Sequence, residues 1–157
     1  MWRLTAAEPR PDEERRSTSS PDATRGIVPR VPDPVISAVL AANQAFYDAH
    51  ERRDLAAMGA VWEHDDRTVC VHPGWPILRT WLVIEESWRR IFAGPGRSQF
   101  ILTNEAVAVD GDLAWVTLEE NLVDGGATGT VAATNVFHRA DGEWRLVVHH
   151  GSPLLAR

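Results

Sequence analysis

The densest chemistry in the chain stands in Thr68-Val69-Cys70-Val71-His72-Pro73-Gly74-Trp75. Val69 and Val71 alternate with Thr68, Cys70 and His72, a strand period that sends His72 to the face opposite the two valines. Proline, which lacks an amide proton, and glycine, which allows a reversal, then stop the strand, and an indole follows at once. An imidazole held there can take or give a proton near neutral pH, because its unperturbed pKa is about 6.5. Three polar residues downstream can join it: Glu120 as a carboxylate partner, and Asn135 or His150 as donors to developing oxygen charge. His72, Glu120, Asn135 and His150 are therefore the candidate catalytic set, walled by Phe46, Trp62, Trp75, Trp88, Phe92 and Val148 as a pocket for a small apolar, carbonyl-bearing ligand.

The grouping follows from strand register. A two-residue loop at Asp141-Gly142 pairs Ala140 with Glu143, which places Phe137 with Leu146, Asn135 with Val148 and Ala133 with His150 on one face. Trp144 and Ser152 share that face, and His149 points away. In the preceding strand Ala114, Val116, Leu118 and Glu120 form one side, and their small members suit the interior. Burial beside Trp75 would lower the His72 pKa and a nearby Glu120 would raise it; the aromatic surroundings favour the neutral ring. A bland reading stands beside this one. A histidine at a strand end is more often a hydrogen-bonded structural residue, and tryptophans serve core and interface as readily as a ligand cage. Cys70 reads as a small buried hydrophobe.

Other chemistries lack their signatures. Adjacent strand residues face opposite ways, so His149-His150 cannot both ligate one ion, and no His-Glu-x-x-His or paired-cysteine spacing exists among six histidines and one cysteine; no metal is expected. Ser152 lacks a Gly-x-Ser-x-Gly elbow, and no glycine-rich phosphate loop joins a strand to a helix, so no cofactor is expected.

The positioning elements follow from periodicity. Residues 1–32, with five prolines and the run Ser17-Thr18-Ser19-Ser20, read as a disordered, dispensable leader, leaving 33–157 as one domain. Asp33-Pro34 opens a helix to about Glu51, with Ile36, Val39, Leu40, Asn43, Phe46, Tyr47 and His50 on its buried side. Asp54 caps a short helix ending near Trp62, and a third helix spans Trp81 to Phe92 before Gly94-Pro95-Gly96. From Ser98 onward the period changes to two, with turns at Asp110-Gly111, Gly125-Gly126 and Asp141-Gly142, giving strands near 98–109, 112–122, 128–139 and 143–151, the first broken near Asn104. Three helices followed by an antiparallel meander make an α+β fold, a cone-shaped barrel in which one curved, mainly antiparallel sheet closes on the helices. The 22 acidic residues exceed the 16 basic ones, all arginine and scattered, which disfavours nucleic acid. No run reaches the roughly 20 apolar residues a membrane span needs, and a lone cysteine suits a reducing compartment, so a cytoplasmic protein is expected.

From Pro34 to Pro153 the chain resembles the nuclear transport factor 2-like superfamily, in particular its SnoaL-like members. The resemblance lies in Asp54-Leu55 before a helix ending in Trp62, in Val71-His72-Pro73-Gly74, and in Asp141-Gly142-Glu143-Trp144-Arg145-Leu146 leading to His149-His150-Gly151-Ser152. It implies the α+β cone and a small-molecule pocket, with isomerase, cyclase or dehydratase chemistry or a non-catalytic binding or dimerisation role on the same fold. In the related ketosteroid isomerases a base aspartate precedes a proline, and His72 before Pro73 takes that place. The oxyanion tyrosine of those enzymes maps to Phe46; Tyr47 is turned from it by about 100° along the helix and is not expected to take its place. The resemblance also implies a homodimer through the outer sheet face, where Trp115, Val136 and Val147 are expected to form an apolar patch.

Overall fold

The computed structural model describes residues 33–124 and 127–154, so the leader and the Gly125-Gly126 turn lie outside the described residues. The first helix, α1 (Pro34–Arg52), begins where Asp33 accepts the Val35 amide at 2.8 Å and ends where Arg53 turns left-handed at φ 56°. Asp54 caps α2 (Leu55–Val61) through the Ala57 amide at 2.9 Å. Both caps satisfy amides that a helix start otherwise leaves bare. The third helix, α3 (Trp81–Ala93), buries Trp81, Ile84, Ser87 and Trp88 and stops at Gly94.

Six strands form one sheet: β1 (Val69–Val71), β2 (Leu78–Arg79), β3 (Gln99–Asp110), β4 (Leu113–Asp124), β5 (Ala127–Ala140) and β6 (Glu143–Pro153). Their order is β2-β1-β6-β5-β4-β3, antiparallel except where β1 runs parallel to β6. The fold is thus the expected α+β cone, with its sheet curved but unclosed, since β2 and β3 remain separate edges. The strand leading to His72 proves to be three residues long, ending at Val71, and second from an edge, and the Trp75–Thr80 excursion returns to pair with it as β2.

Two bulges bend the sheet. Between Thr103 and Ala106 β3 carries an extra residue, with Asn104 at φ 55°, which accounts for the break expected near Asn104. The second bulge overturns the expected hairpin register. Phe137 does pair with Leu146, but β6 then gains a residue, so Val136 pairs with Val148, Asn135 with His149 and Thr134 with His150. An extra residue flips every side chain beyond it. Leu146 and Val147 are both buried in succession as a result. Val147, expected on the outer face, is the unpaired bulge residue and is buried, and Val148 now stands opposite Val136.

On β4 the chosen side is inward: Ala114, Val116, Leu118 and Glu120 are buried, while Trp115 is 42% exposed. The core gathers under α1 and α2, where Val39, Met58, Trp62, Phe137 and Leu146 are sealed from solvent. Full burial of each such side chain contributes about 1.5–3 kcal/mol.

Candidate functional site

The open end of the cone holds a cavity of about 190 Å³. Its apolar wall comes from Phe46 and Tyr47 of α1, Trp88 and Ile91 of α3, Trp75 of the turn, and Phe100 and Leu122 of the sheet. Its polar residues are Glu120, His72, His149, His50 and Ser98. A cavity of about 150 Å³ encloses benzene, so the enclosed part of a ligand is about one substituted ring and a four-ring skeleton is too large.

His72 is placed by the turn after β1. The Trp75 amide donates to the His72 carbonyl at 2.9 Å, and Trp75 meets the imidazole edge-on with ring centroids 5.2 Å apart. Pro73 rests on Gly151, where a Cβ would stand 3.1 Å from both the proline ring and Val131, so only glycine lets the turn sit this close. Ser87 Oγ lies 2.9 Å from His72 Nε2 and 2.6 Å from the Ile84 carbonyl. That carbonyl can only accept, so the serine proton goes to it and His72 Nε2–H donates to Ser87, leaving the lone pair on Nδ1. Near Nδ1 the described side chains offer only Cys70 Sγ, at 3.8 Å. Burial lowers the His72 pKa to about 4, so the ring is neutral at pH 7, and Glu120 pairs elsewhere.

A second network runs inward from the β3 bulge. Asn43 Nδ2 donates to the Glu105 carboxylate at 3.2 Å, so its Oδ1 faces Asn135. Asn135 Nδ2 donates to Asn43 Oδ1 at 2.8 Å and to the Tyr47 hydroxyl at 3.1 Å. Tyr47 in turn donates to Glu120 Oε1 at 2.7 Å. Asn135 Oδ1 is left to accept from His149 Nδ1–H at 2.7 Å, which puts the His149 lone pair on Nε2. Each group's direction follows from the one before it.

Burial raises the Glu120 pKa to about 7, against the lowering effect of the Tyr47 hydrogen bond. Tyr47 is held well above its ordinary range, by burial first and by Glu120 second. Burial lowers His50 to about 4 and His149 to about 3, with neighbouring charges adding to both. The Cys70 thiol is pushed up by burial, as a packing residue should be.

Of the sequence-derived set, His72, Glu120, Phe46, Trp75 and Trp88 line the cavity. Asn135 stands behind the wall, spending both amide protons on Asn43 and Tyr47. His150 does not belong: the β6 bulge turns it outward, exposed opposite Thr134, and brings His149 in. Val148 is turned to the outer face by the same bulge. Trp62 is sealed behind Phe46, 6.4 Å between centroids, and Phe92 packs on the far side of His50 and Trp88. As the periodicity predicts, α1 buries both Phe46 and Tyr47, and it is Tyr47, not expected to take the place of the oxyanion tyrosine, that brings its hydroxyl to the site. Ser87 was missed; its one signal is a hydroxyl on the apolar stripe of Ile84, Trp88 and Ile91. Among the described residues no helix is long and apolar enough to cross a membrane.

A family model described as a SnoaL-like domain matches residues 39–156. The chain is 39% identical to a proposed dehydratase of the NTF2-like family from Streptomyces avermitilis, with TM-score 0.75 over 80% of this chain and 100% of that one. It is 35% identical to a proposed calcium/calmodulin-dependent protein kinase type II association domain from Thiobacillus denitrificans, with TM-score 0.69 over 74% and 94% of the two chains. It is also 30% identical over 119 residues to the F-box protein SKIP8 of Arabidopsis thaliana, which covers 75% of this chain and 50% of the relative. The chain spans about half the length of that curated relative.

Proposed function

Because the chain belongs to the SnoaL-like family, we propose that its small-molecule-binding fold works as a cofactor-independent acid/base enzyme, with Glu120 as the group that moves the proton. The observation that carries this is the Tyr47–Glu120 pair: Oε1 is held by the phenol at 2.7 Å, and Glu120 lines the cavity with Oε2 unbonded by any described side chain. A carboxyl near pH 7 suits transfer in both directions. His72, expected as the general base, is the weaker candidate, because a pKa of about 4 leaves little driving force for accepting a proton.

In the ionised state Glu120 takes a proton from a ligand carbon. It then returns it either to another carbon, an isomerisation, or to a departing hydroxyl, so that C–H and C–O bonds break, a C=C bond forms and water leaves. The likeness to a proposed dehydratase favours the second course. His72, His149 and Asn135 position the ligand and the Tyr47–Glu120 pair. A cytoplasmic location belongs to the same proposal, supported by the single cysteine, which suits a reducing compartment.

The test is incubation in D₂O with a panel of small ring alcohols and ketones, followed by mass spectrometry. Wild type should incorporate deuterium or lose water, with activity rising as pH passes through about 7, and Glu120→Gln should do neither while remaining folded. Turnover retained by Glu120→Gln would overturn the assignment.

A second reading is supported by the outer sheet face, where Leu113 and Trp115 are exposed near one end of β4 and Ile101 and Val123 near the other, and by the likeness to an association domain. On that reading the cone is a homodimerisation module. Light scattering should give a dimer mass at micromolar concentration and a monomer for Trp115→Glu; a monomeric wild type would count against it.

A further inference from the structure

The two hydrogen-bond networks consume the inner wall's donors and leave its acceptors. Ser87 gives its proton to Ile84, Tyr47 gives its proton to Glu120, and Asn135 gives both amide protons away. What remains for a ligand is the lone pair of His149 Nε2 and Glu120 Oε2, together with the lone pair of His72 Nδ1, whose one neighbouring donor among the described side chains is the weak Cys70 thiol at 3.8 Å. The rim adds two donors, the indole of Trp75, which is 42% exposed, and the Ser98 hydroxyl. His50, whose tautomer no hydrogen bond fixes, can offer either a donor or an acceptor, and the Trp88 indole N–H, though unbonded, is buried away from the cavity surface. No arginine lines the cavity, and its aromatic faces are negative at their centres.

We infer that the cavity recognises its ligand as a hydrogen-bond donor: a hydroxyl or ammonium head on an apolar body of about one six-membered ring, with carbonyls, carboxylates and phosphates disfavoured. The carbonyl-bearing ligand expected from the sequence needs built donors to its oxygen, and among the described residues the hydrogen-bond networks hold none toward this cavity while Glu120 is ionised. A buried acceptor facing a ligand acceptor leaves both unpaired and without the water each gave up. This inference rests on the cavity being the ligand site and is independent of turnover.

An isosteric series on the full chain separates the cases, read by isothermal titration at pH 8. Benzylammonium and benzyl alcohol should bind at least tenfold more tightly than benzaldehyde and benzoate. The two donors differ in pH response. Glu120 faces Tyr47 from α1, Cys70 from β1 and the neutral rings of His50, His72 and His149, so between pH 6 and 8 it is the cavity group that changes charge. Benzylammonium, protonated throughout, should tighten about tenfold over that range as the carboxylate forms, benzyl alcohol much less, and Glu120→Gln should erase the difference. Benzaldehyde or benzoate matching either donor, or no binding of either donor at millimolar concentration, would overturn the inference. Deuterium exchange by wild type would survive that outcome, so the two failures are distinguishable.

Discussion

The inner face of the sheet has two ends built from one set of strands, and they solve burial differently. At the closed end Phe137, Leu146, Val116 and Ala114 meet Val39, Met58 and Trp62, and contact alone holds them. At the open end the same strands β4, β5 and β6 present Glu120, Asn135 and His149, all buried. Burying these polar groups is tolerable because each finds a partner through the Asn43–Asn135–Tyr47–Glu120 chain. The difference teaches that the open end is held by a network whose titration the closed end does not share. Stability should therefore respond to pH through one end and to volume through the other.

The largest effect should come from acid. His50, His72 and His149 have folded pKa values of about 4, 4 and 3, below the unfolded 6.5, so their stability is present above pH 6.5 and lost progressively as pH falls from there down through those values. Glu120 runs the other way: its pKa of about 7 exceeds the unfolded 4.5, so its contribution is full below pH 4.5 and lost as pH rises through 7. Three groups against one, over the two pH units from 6.5 to 4.5, predict a loss on the order of 5 kcal/mol. Urea unfolding along that range measures it, and a flat profile would contradict the buried, neutral histidines.

Next comes Phe137→Ala, which opens a cavity at the closed end and should cost about 3–5 kcal/mol at every pH. Equal losses at pH 5 and pH 8 would confirm that the two ends are separate; a strongly pH-dependent loss would join them. Smaller is Glu120→Gln, which keeps an acceptor for Tyr47 but removes the buried charge. At pH 8 it should stabilise by up to about 3 kcal/mol and at pH 4.5 change little, because only the ionised carboxylate is disfavoured. Denaturant midpoints at the two pH values check the sign. Smallest is Tyr47→Phe, expected to cost about 1–2 kcal/mol. Since the phenol lowers the Glu120 pKa, its loss should move the carboxyl above 7, visible by carbon NMR of labelled glutamate, and an unmoved titration would remove Tyr47 from the site.

Much of this was legible in the chain itself, for local reasons. Asp33-Pro34 and Asp54 announce helix starts because a side-chain oxygen must reach amides two or three residues on, and the inward side of β4 follows from a strict period of two. His72 and Glu120 could be assigned to one cavity from those periods alone. Register beyond a bulge could not, because one extra residue in β6 costs nothing recognisable in sequence yet exchanges His149 for His150 and turns Val148 out. Nor could the meeting of Tyr47 with Glu120, because the periodicity places Phe46 and Tyr47 on the buried side of α1 but the curl of the sheet decides what each one meets. The direction of every proton in the site is likewise a tertiary matter. It is set by Glu105 and the Ile84 carbonyl, acceptors that reach Asn43 and Ser87 only once strands and helices are packed.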